Sequence, residues 1–154
     1  MVSAPDRVQH RHRVRRVYSL ALLLAIGLFY VHVVVIFDVA SKMIQYQTWL
    51  IDHLGPHTTG KTIILGCFIL LFAAHLAEVM AWGLFLRWTR LSASVTEGFY
   101  FTAASITTLG YGDVVLPSPW RQLGPLVAIS GVLMFGCSSA FLFVVMQGVW
   151  EQHW

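Results

Sequence analysis

The sequence has 154 residues, of which 57% are hydrophobic and only 11% are charged, with a formal net charge of +3. Soluble domains contain about 25% charged residues, so this composition argues against a disordered chain, a nucleic-acid-binding protein and an ordinary soluble enzyme. A mean hydropathy of +0.70, with apolar residues in long blocks, instead predicts a small integral membrane protein of the lipid bilayer.

The chain begins with a polar, arginine-rich tail at residues 1–16, which is followed by an apolar block at 17–40. A helix of that length reaches about 36 Å, enough to cross a bilayer with some tilt. A basic tail before an apolar run is also typical of a secretory signal, but the apolar part of a signal has only about 7–15 residues. We therefore predict an additional, uncleaved transmembrane helix at 17–40 and a connecting loop at 41–61.

Two more apolar blocks follow at 62–86 and 123–149. Each is apolar around its whole circumference, as expected of membrane-spanning helices rather than surface helices. The third block has no charged residue and contains glycines and serines, which let membrane helices approach closely. The sequence thus predicts an all-α membrane protein with three transmembrane helices and a C-terminal tail at 151–154.

A shorter helical pattern lies between the second and third blocks. Ser94 and Glu97 fit a capping box, in which Ser94 caps a helix and Glu97 reaches back to Ser94. The helix predicted at 95–107 is about 20 Å long, too short to cross a bilayer. A capped apolar half-helix between two spans indicates a re-entrant segment, because non-helical backbone at membrane depth is tolerated only inside protein or beside water.

The half-helix leads into the sequence Thr-Thr-Leu-Gly-Tyr-Gly-Asp at 107–113. Gly110 and Gly112 permit backbone angles that turn successive carbonyl groups the same way. Four such segments around one axis would stack rings of carbonyl oxygens, which replace the hydration shell of K⁺. The half-helix would point the negative end of its dipole towards the cation. The predicted K⁺ ligands come from Thr108, with both its carbonyl and hydroxyl oxygens, and from Leu109, Gly110 and Tyr111.

These residues resemble the selectivity-filter signature of the potassium-channel pore-domain family. The resemblance covers residues 62–150 and implies passive K⁺ transport through a homotetramer. It also implies a location in a cell membrane, the inner membrane of a bacterium, and no cofactor other than the permeant ion. One filter segment per chain cannot close a ring, which also favours four subunits. The implied parts are an outer helix at 62–86, a pore helix at 95–107, a filter at 108–113 and an inner helix at 123–149.

The same resemblance assigns roles around the filter. It implies a selectivity filter formed by Thr108, Leu109, Gly110, Tyr111 and Gly112, and Trp120 stands where many bacterial relatives have tryptophan. Ala104 departs from those relatives that have a glutamate behind the filter, so Asp113 lacks an acidic partner there. The residues implied to support the filter are Tyr100, Phe101, Thr107 and Asp113.

Several alternatives to a K⁺ channel stay open. Similar channels with aspartate in place of Tyr111 are nonselective, so Tyr111 argues against a nonselective cation channel. A K⁺ transporter subunit would resemble four linked pore repeats with degenerate filters, whereas this sequence has one repeat. A non-conducting membrane interaction or regulatory subunit would keep the filter sequence without K⁺ flux. We expect no enzymatic activity and no nucleic-acid partner, because the sequence shows no nucleophile–base set and no phosphate-binding loop.

Candidate gating residues lie in the second and third blocks. Gly131 and Gly136 fall near the level of the family's gating hinge, and packing at a helix crossing is the alternative. Ionisable residues inside a membrane are functional candidates by default, and these are His32, Asp38, His75 and Glu78. His75 and Glu78 share one helical face, so protonation of His75 could bias helix packing; a purely structural polar pair is the alternative.

The distribution of basic residues conflicts with the resemblance. With three spans, the tail and the filter lie on one side with eight Lys and Arg residues, against two on the other. The positive-inside rule places the eight in the cytoplasm, whereas the potassium-channel family has its filter mouth outside. Either the tail is translocated, or 17–40 does not span, or the pore is inverted as in ionotropic glutamate receptors. We favour three spans with the filter mouth outside.

Overall fold

A computed structural model describes the backbone of residues 4–153 and, within that range, all side chains except those of 4–8, 44, 56, 57, 152 and 153. The described residues form helices α1 (Ala4–Leu54), α2 (Pro56–Trp88), α3 (Val95–Ile106) and α4 (Leu123–His153), with a short 3-10 turn at Trp120–Gln122. Three segments are long and apolar enough to cross a membrane, and they confirm the predicted all-α architecture with three transmembrane helices: Gln9–Met43, Thr58–Trp88 and Trp120–Glu151.

The long helices extend beyond the apolar blocks from which they were predicted. Residues 4–16, predicted as a tail, are helical, and the predicted loop at 41–61 is helical on both sides of Gly55. Apolar composition marks the depth of the bilayer, whereas a helix continues wherever the residues favour it, and Arg, Lys and Gln do. Gly55 has a φ of 75°, and its N–H donates to the Ile51 carbonyl at 3.0 Å. Gly55 thus ends α1 as a C-terminal glycine, and Pro56 begins α2.

The short helix α3 is capped nearly as predicted. The Ser94 hydroxyl oxygen accepts a hydrogen bond from the Glu97 backbone N–H at 3.0 Å. The Glu97 carboxylate, however, accepts from the backbone N–H of Ala93 at 2.6 Å, one residue before the cap to which it was predicted to return. The helix ends at Ile106 with Thr107 as its C-cap.

The chain contains two compact units. The first comprises residues 4–29 and 78–132. In it, α1 contributes one buried face at four-residue spacing, as a helix that packs along one side does. The core of this unit is formed by Val17, Ala21, Ala25, Val79, Trp82, Phe85, Leu86, Phe101, Ile106, Leu116, Trp120, Leu123 and Val127.

Helix α3 is positioned in the first unit by close backbone approaches. A Cβ atom on Gly83 of α2 would lie 2.9 Å from the backbone nitrogen of Phe99, and one on Gly98 would lie 2.8 Å from the Gly83 carbonyl oxygen. Small residues permit such contacts between membrane helices. This glycine pair therefore sets the distance between α2 and the helix that precedes the predicted filter.

The second unit comprises residues 30–77 and 133–153. Its apolar core is small and is formed by Val39, Ile63, Cys67 and Val145. Asp38 of α1, which the sequence analysis placed within the first span, forms an exposed ion pair with Lys42 one turn later, at 2.7 Å.

Candidate functional site

The backbone of residues 108–112 has an alternating pattern. Thr108, Gly110 and Gly112 have positive φ angles of 58°, 52° and 79°, whereas Leu109 and Tyr111 between them do not. Glycine adopts such angles readily, but a β-branched threonine there is a genuine outlier that costs about 1–3 kcal/mol. When φ alternates in sign along a segment, the N–H groups can lie on one side of it and the carbonyl groups on the other.

The start of this segment is bonded to the last turn of α3. The Thr108 N–H donates to the Ser105 carbonyl at 3.1 Å, and the Gly110 N–H donates to the Ala104 carbonyl at 3.0 Å. The Thr108 hydroxyl donates its proton to the Thr107 carbonyl at 2.7 Å. The two lone pairs of the hydroxyl oxygen therefore point away from Thr107. The C-terminus of α3 and the segment thus form one continuous hydrogen-bonded structure.

The far end of the segment is held by a side-chain pair. The Tyr100 hydroxyl donates to the Asp113 carboxylate at 2.6 Å, and the Val114 backbone N–H donates to its other oxygen at 3.0 Å. The hydrogen bond from Tyr100 lowers the pKa of Asp113 below its ordinary value and raises the pKa of Tyr100. Asp113 therefore has a phenolic partner, Tyr100, although it lacks the glutamate that some relatives have at the position of Ala104.

Behind the segment lies an open cavity of about 290 Å³ in the first unit, bounded by α3, the segment and Arg121. Phe101, predicted to support the filter, is buried in the apolar core and its ring lies 3.4 Å from the place of a Cβ on Gly124. The side chains of Leu109, Tyr111 and Val115 are 55%, 68% and 60% exposed. Exposed apolar and aromatic side chains grouped in this way mark a surface that contacts protein or lipid.

The two glycines predicted as hinges lie in different surroundings. A Cβ atom on Gly131 would lie 2.7 Å from a methyl group of Ile106 at the end of α3, whereas one on Gly136 would meet nothing within 4 Å. Gly131 is therefore required for the packing of α4 against α3, which is the alternative that the sequence left open. The hinge role of either glycine stays a prediction.

His75 belongs to a buried polar cluster in the second unit, which we call the histidine cluster: His32 of α1, His75 of α2 and Ser138 of α4. The Nε2 atoms of His32 and His75 lie 2.8 and 3.1 Å from the Ser138 hydroxyl oxygen. The two imidazole rings are 4.9 Å apart, and His75 also stacks on Phe135 at 4.2 Å. A hydroxyl has one proton to donate and two lone pairs that accept, so at most one of the two imidazoles accepts from Ser138 and at least one donates to it.

The sequence analysis identified His75 and Glu78 but not the partners of His75. Glu78 lies on the next turn of α2 and is only 5% exposed. His32 was a candidate only because it interrupts an apolar block, and Ser138 is one of several small residues in α4. No sequence pattern indicates which faces of three uniformly apolar helices meet.

Residues 74–148 match the model of a family described as ion channel. The match runs from the second half of α2 through α3 and the segment at 107–113 into α4, and it covers just under half of the chain. Comparison with curated proteins gave no match, and neither did comparison with solved structures.

Proposed function

Residues 74–148 match the model of an ion channel family, and from this match we propose that the chain forms a K⁺-selective channel whose filter is the segment 108–112. The observation that carries the proposal is the alternating sign of φ at Thr108, Leu109, Gly110, Tyr111 and Gly112. A segment of this kind offers carbonyl oxygens to a cation without any charged side chain. Selectivity for K⁺ and passive transport along its gradient follow from that chemistry.

The ion would be held by oxygen atoms alone. The carbonyl groups of Thr108, Leu109, Gly110 and Tyr111 would supply successive rings, and the Thr108 hydroxyl oxygen would add the innermost one. Because that hydroxyl donates its proton to the Thr107 carbonyl, its oxygen can coordinate a cation through a lone pair. The strained φ of Thr108 is consistent with a functional backbone geometry, since strain of this kind clusters at such sites.

A complete ring requires four chains, and we infer a homotetramer. One chain supplies one filter segment, so its carbonyl groups can surround an ion only together with those of other copies. The exposure of Leu109, Tyr111 and Val115 supports this assembly, because neighbouring subunits would cover these side chains. The open cavity behind the filter is a further place for contact.

The proposed orientation has the filter mouth outside a cell membrane, here the inner membrane of a bacterium. Arg13 and Tyr18 of α1 contact residues 89 and 119 near the filter in the first unit, which agrees with a tail and a filter on the same side. The arginines would then be translocated and would contact lipid headgroups. Labelling of residues 9–16, each substituted in turn by cysteine, with an impermeant thiol reagent in intact cells tests this orientation, and protection from the reagent would contradict it.

Gating by the histidine cluster is part of the proposal. The polar groups that contact His75 within the second unit are His32 from α1 and Ser138 from α4; Glu78 follows three residues later in the sequence of α2. Protonation of both imidazoles would place two positive charges 4.9 Å apart in a medium of low dielectric constant, where like charges repel strongly. We expect α4, the proposed inner helix, to shift when the pH falls through the range in which histidine titrates.

The decisive experiment is ion flux through the purified protein in liposomes. With a K⁺ gradient we expect flux, and with a Na⁺ gradient of equal size far less. Gly110→Ala should reduce K⁺ flux about tenfold or more, because alanine at the positive φ that the filter requires costs about 1–2 kcal/mol in each subunit. Gly66→Ala is the matched control, since a Cβ there meets nothing within 4 Å and the residue has no unusual φ.

Each outcome separates the alternatives. Equal K⁺ and Na⁺ flux would identify a nonselective cation channel. No flux from an assembled tetramer would identify a non-conducting subunit. Undiminished flux in Gly110→Ala would exclude the segment 108–112 as the filter.

A further inference from the structure

We propose that the N-terminal half of α1 holds the backbone that leaves the filter and so determines how long the filter stays conductive. We call residues 114–119 the exit segment. The inference rests on the proposed channel function, and it assigns a positioning role to Tyr18 and Arg13, which lie outside the 74–148 ion channel match.

The first contact is a hydrogen bond to the end of the exit segment. The hydroxyl of Tyr18 donates to the Pro119 carbonyl oxygen at 2.7 Å, across 101 residues of sequence. The Tyr18 ring also stacks on the indole of Trp120, with ring centroids 6.1 Å apart and planes 21° from parallel. Trp120 itself is only 7% exposed, so Tyr18 fixes both the last carbonyl of the exit segment and the buried side chain beside it.

The second contact comes from Arg13, which lies closer to the start of α1. Its guanidinium lies 5.8 Å from the centre of the same Trp120 ring, within the range of a cation–π interaction. One guanidinium N–H donates to the Thr89 carbonyl at 3.3 Å, just beyond the end of α2. A cation is favoured at that place because the C-terminus of a helix carries partial negative charge.

The packing below these contacts joins α1 to the core around the filter. Val17, Ala21 and Ala25 of α1 are buried in the same core as Leu116 of the exit segment and Trp120, which follows that segment. Leu22 and Leu23 on the other faces of α1 are 51% and 64% exposed. One face of α1 is thus part of the unit that carries the filter, whereas its other faces are free for lipid.

Besides these contacts, the exit segment is held by the burial of Leu116 in the core and by a turn in which the Trp120 N–H donates to the Pro117 carbonyl at 2.7 Å. It forms no regular secondary structure, and Asp113 before it is held by the exposed hydroxyl of Tyr100. Tyr18 holds its other end at Pro119. Segments of this kind open locally at low cost in free energy, so removal of the Tyr18 hydrogen bond should let the outer end of the filter relax into a non-conducting form more often.

The test is Tyr18→Phe in the full chain, which removes one hydroxyl group and keeps the ring against Trp120. Tyr30→Phe is the matched control: it is the same chemical change on the same helix, at a side chain that is 69% exposed. In nanodiscs of phosphatidylethanolamine and phosphatidylglycerol, we expect amide hydrogen exchange of the non-proline residues in 113–120 to accelerate about two- to tenfold in Tyr18→Phe, the range for one lost hydrogen bond. Tyr30→Phe should exchange like the wild type.

The functional measurement is the decay of K⁺ current during sustained conduction in planar bilayers. We expect the decay to be faster in Tyr18→Phe by about the same two- to tenfold. A variant that merely folded less well would give fewer channels with an unchanged decay rate. Arg13→Ala should also accelerate the decay, and more than Arg13→Lys, which keeps the charge.

The outcomes distinguish this proposal from the channel function. Unchanged exchange and unchanged decay in Tyr18→Phe would overturn the positioning role of α1. A wild-type protein without K⁺ flux would overturn the channel function, while the exchange measurement would still report on the contact. If Tyr18→Phe does not assemble, the comparison of Arg13→Ala with Arg13→Lys gives the same test, and equal decay in the two would contradict the proposal.

Discussion

Asp113 beside the proposed filter and the His32–His75 pair are both titratable groups of a membrane protein, but their environments differ. Asp113 is exposed and accepts hydrogen bonds from Tyr100 and Val114. The two histidines lie among apolar helices and share the hydroxyl of Ser138. A carboxylate that reaches water keeps its charge at little cost, whereas a buried group is stable when it is neutral and hydrogen-bonded. We therefore expect the filter end to resist changes of pH and the histidine cluster to respond to them.

The largest effect within this comparison is expected from Ser138→Ala. The substitution removes the oxygen shared by both imidazoles, and lost buried hydrogen bonds cost about 1–3 kcal/mol. The free energy of unfolding in detergent should fall by that amount. Ser139→Ala, at the exposed neighbouring serine, is the matched control and should leave it unchanged. Equal stability of the two variants would show that the cluster contributes nothing to the packing of the helices.

The second prediction concerns pH dependence of the current. In the wild type, K⁺ current should change on acidification, because imidazole is the side chain that gains a positive charge most readily near neutral pH. His75→Leu should remove this change, since one of the two neighbouring charges can no longer form. Single-channel recording at a series of pH values, with Ser139→Ala as the control, measures it. A pH dependence that persists in His75→Leu would leave the cluster with a structural role only.

The smallest effect is expected at the filter end, from Tyr100→Phe. Tyr100 lowers the pKa of Asp113 from its ordinary value of 3.8, so this stabilising contact is complete above that value and is lost as the pH falls through the lowered pKa. Without the hydroxyl, the pKa of Asp113 should rise towards 3.8. Because the pair is exposed, the current at neutral pH should change less than about twofold.

Infrared titration of the ¹³C-labelled aspartates measures this shift, since protonation moves the carboxyl band. Tyr46→Phe, at an exposed tyrosine of α1, is the control and should titrate like the wild type. A titration of Asp113 that is the same in Tyr100→Phe and the wild type would show that the hydrogen bond does not hold the carboxylate.

Much of the architecture followed from local features of the sequence. The three spans were predicted because the length of an apolar block can be compared directly with the thickness of a bilayer. The start of α3 was predicted from Ser94 and Glu97, whose hydrogen bonds join residues only three or four positions apart. The positive φ angles of Gly110 and Gly112 agree with what the glycines permit. The ends of α1 and α2 were placed too early, because polar residues continue a helix beyond the apolar depth.

The contacts between helices could only be found in the tertiary structure. His32 and His75 meet at Ser138 across 106 and 63 residues, and Tyr18 meets Pro119 across 101. In a soluble helix, a polar face indicates which side packs inside. In a membrane helix, the sides that face lipid and protein are equally apolar, so the pattern does not distinguish them. The sequence by itself therefore determined the spans and the position of the proposed filter, while the tertiary structure alone decided which side chains contact that segment and which meet in the histidine cluster.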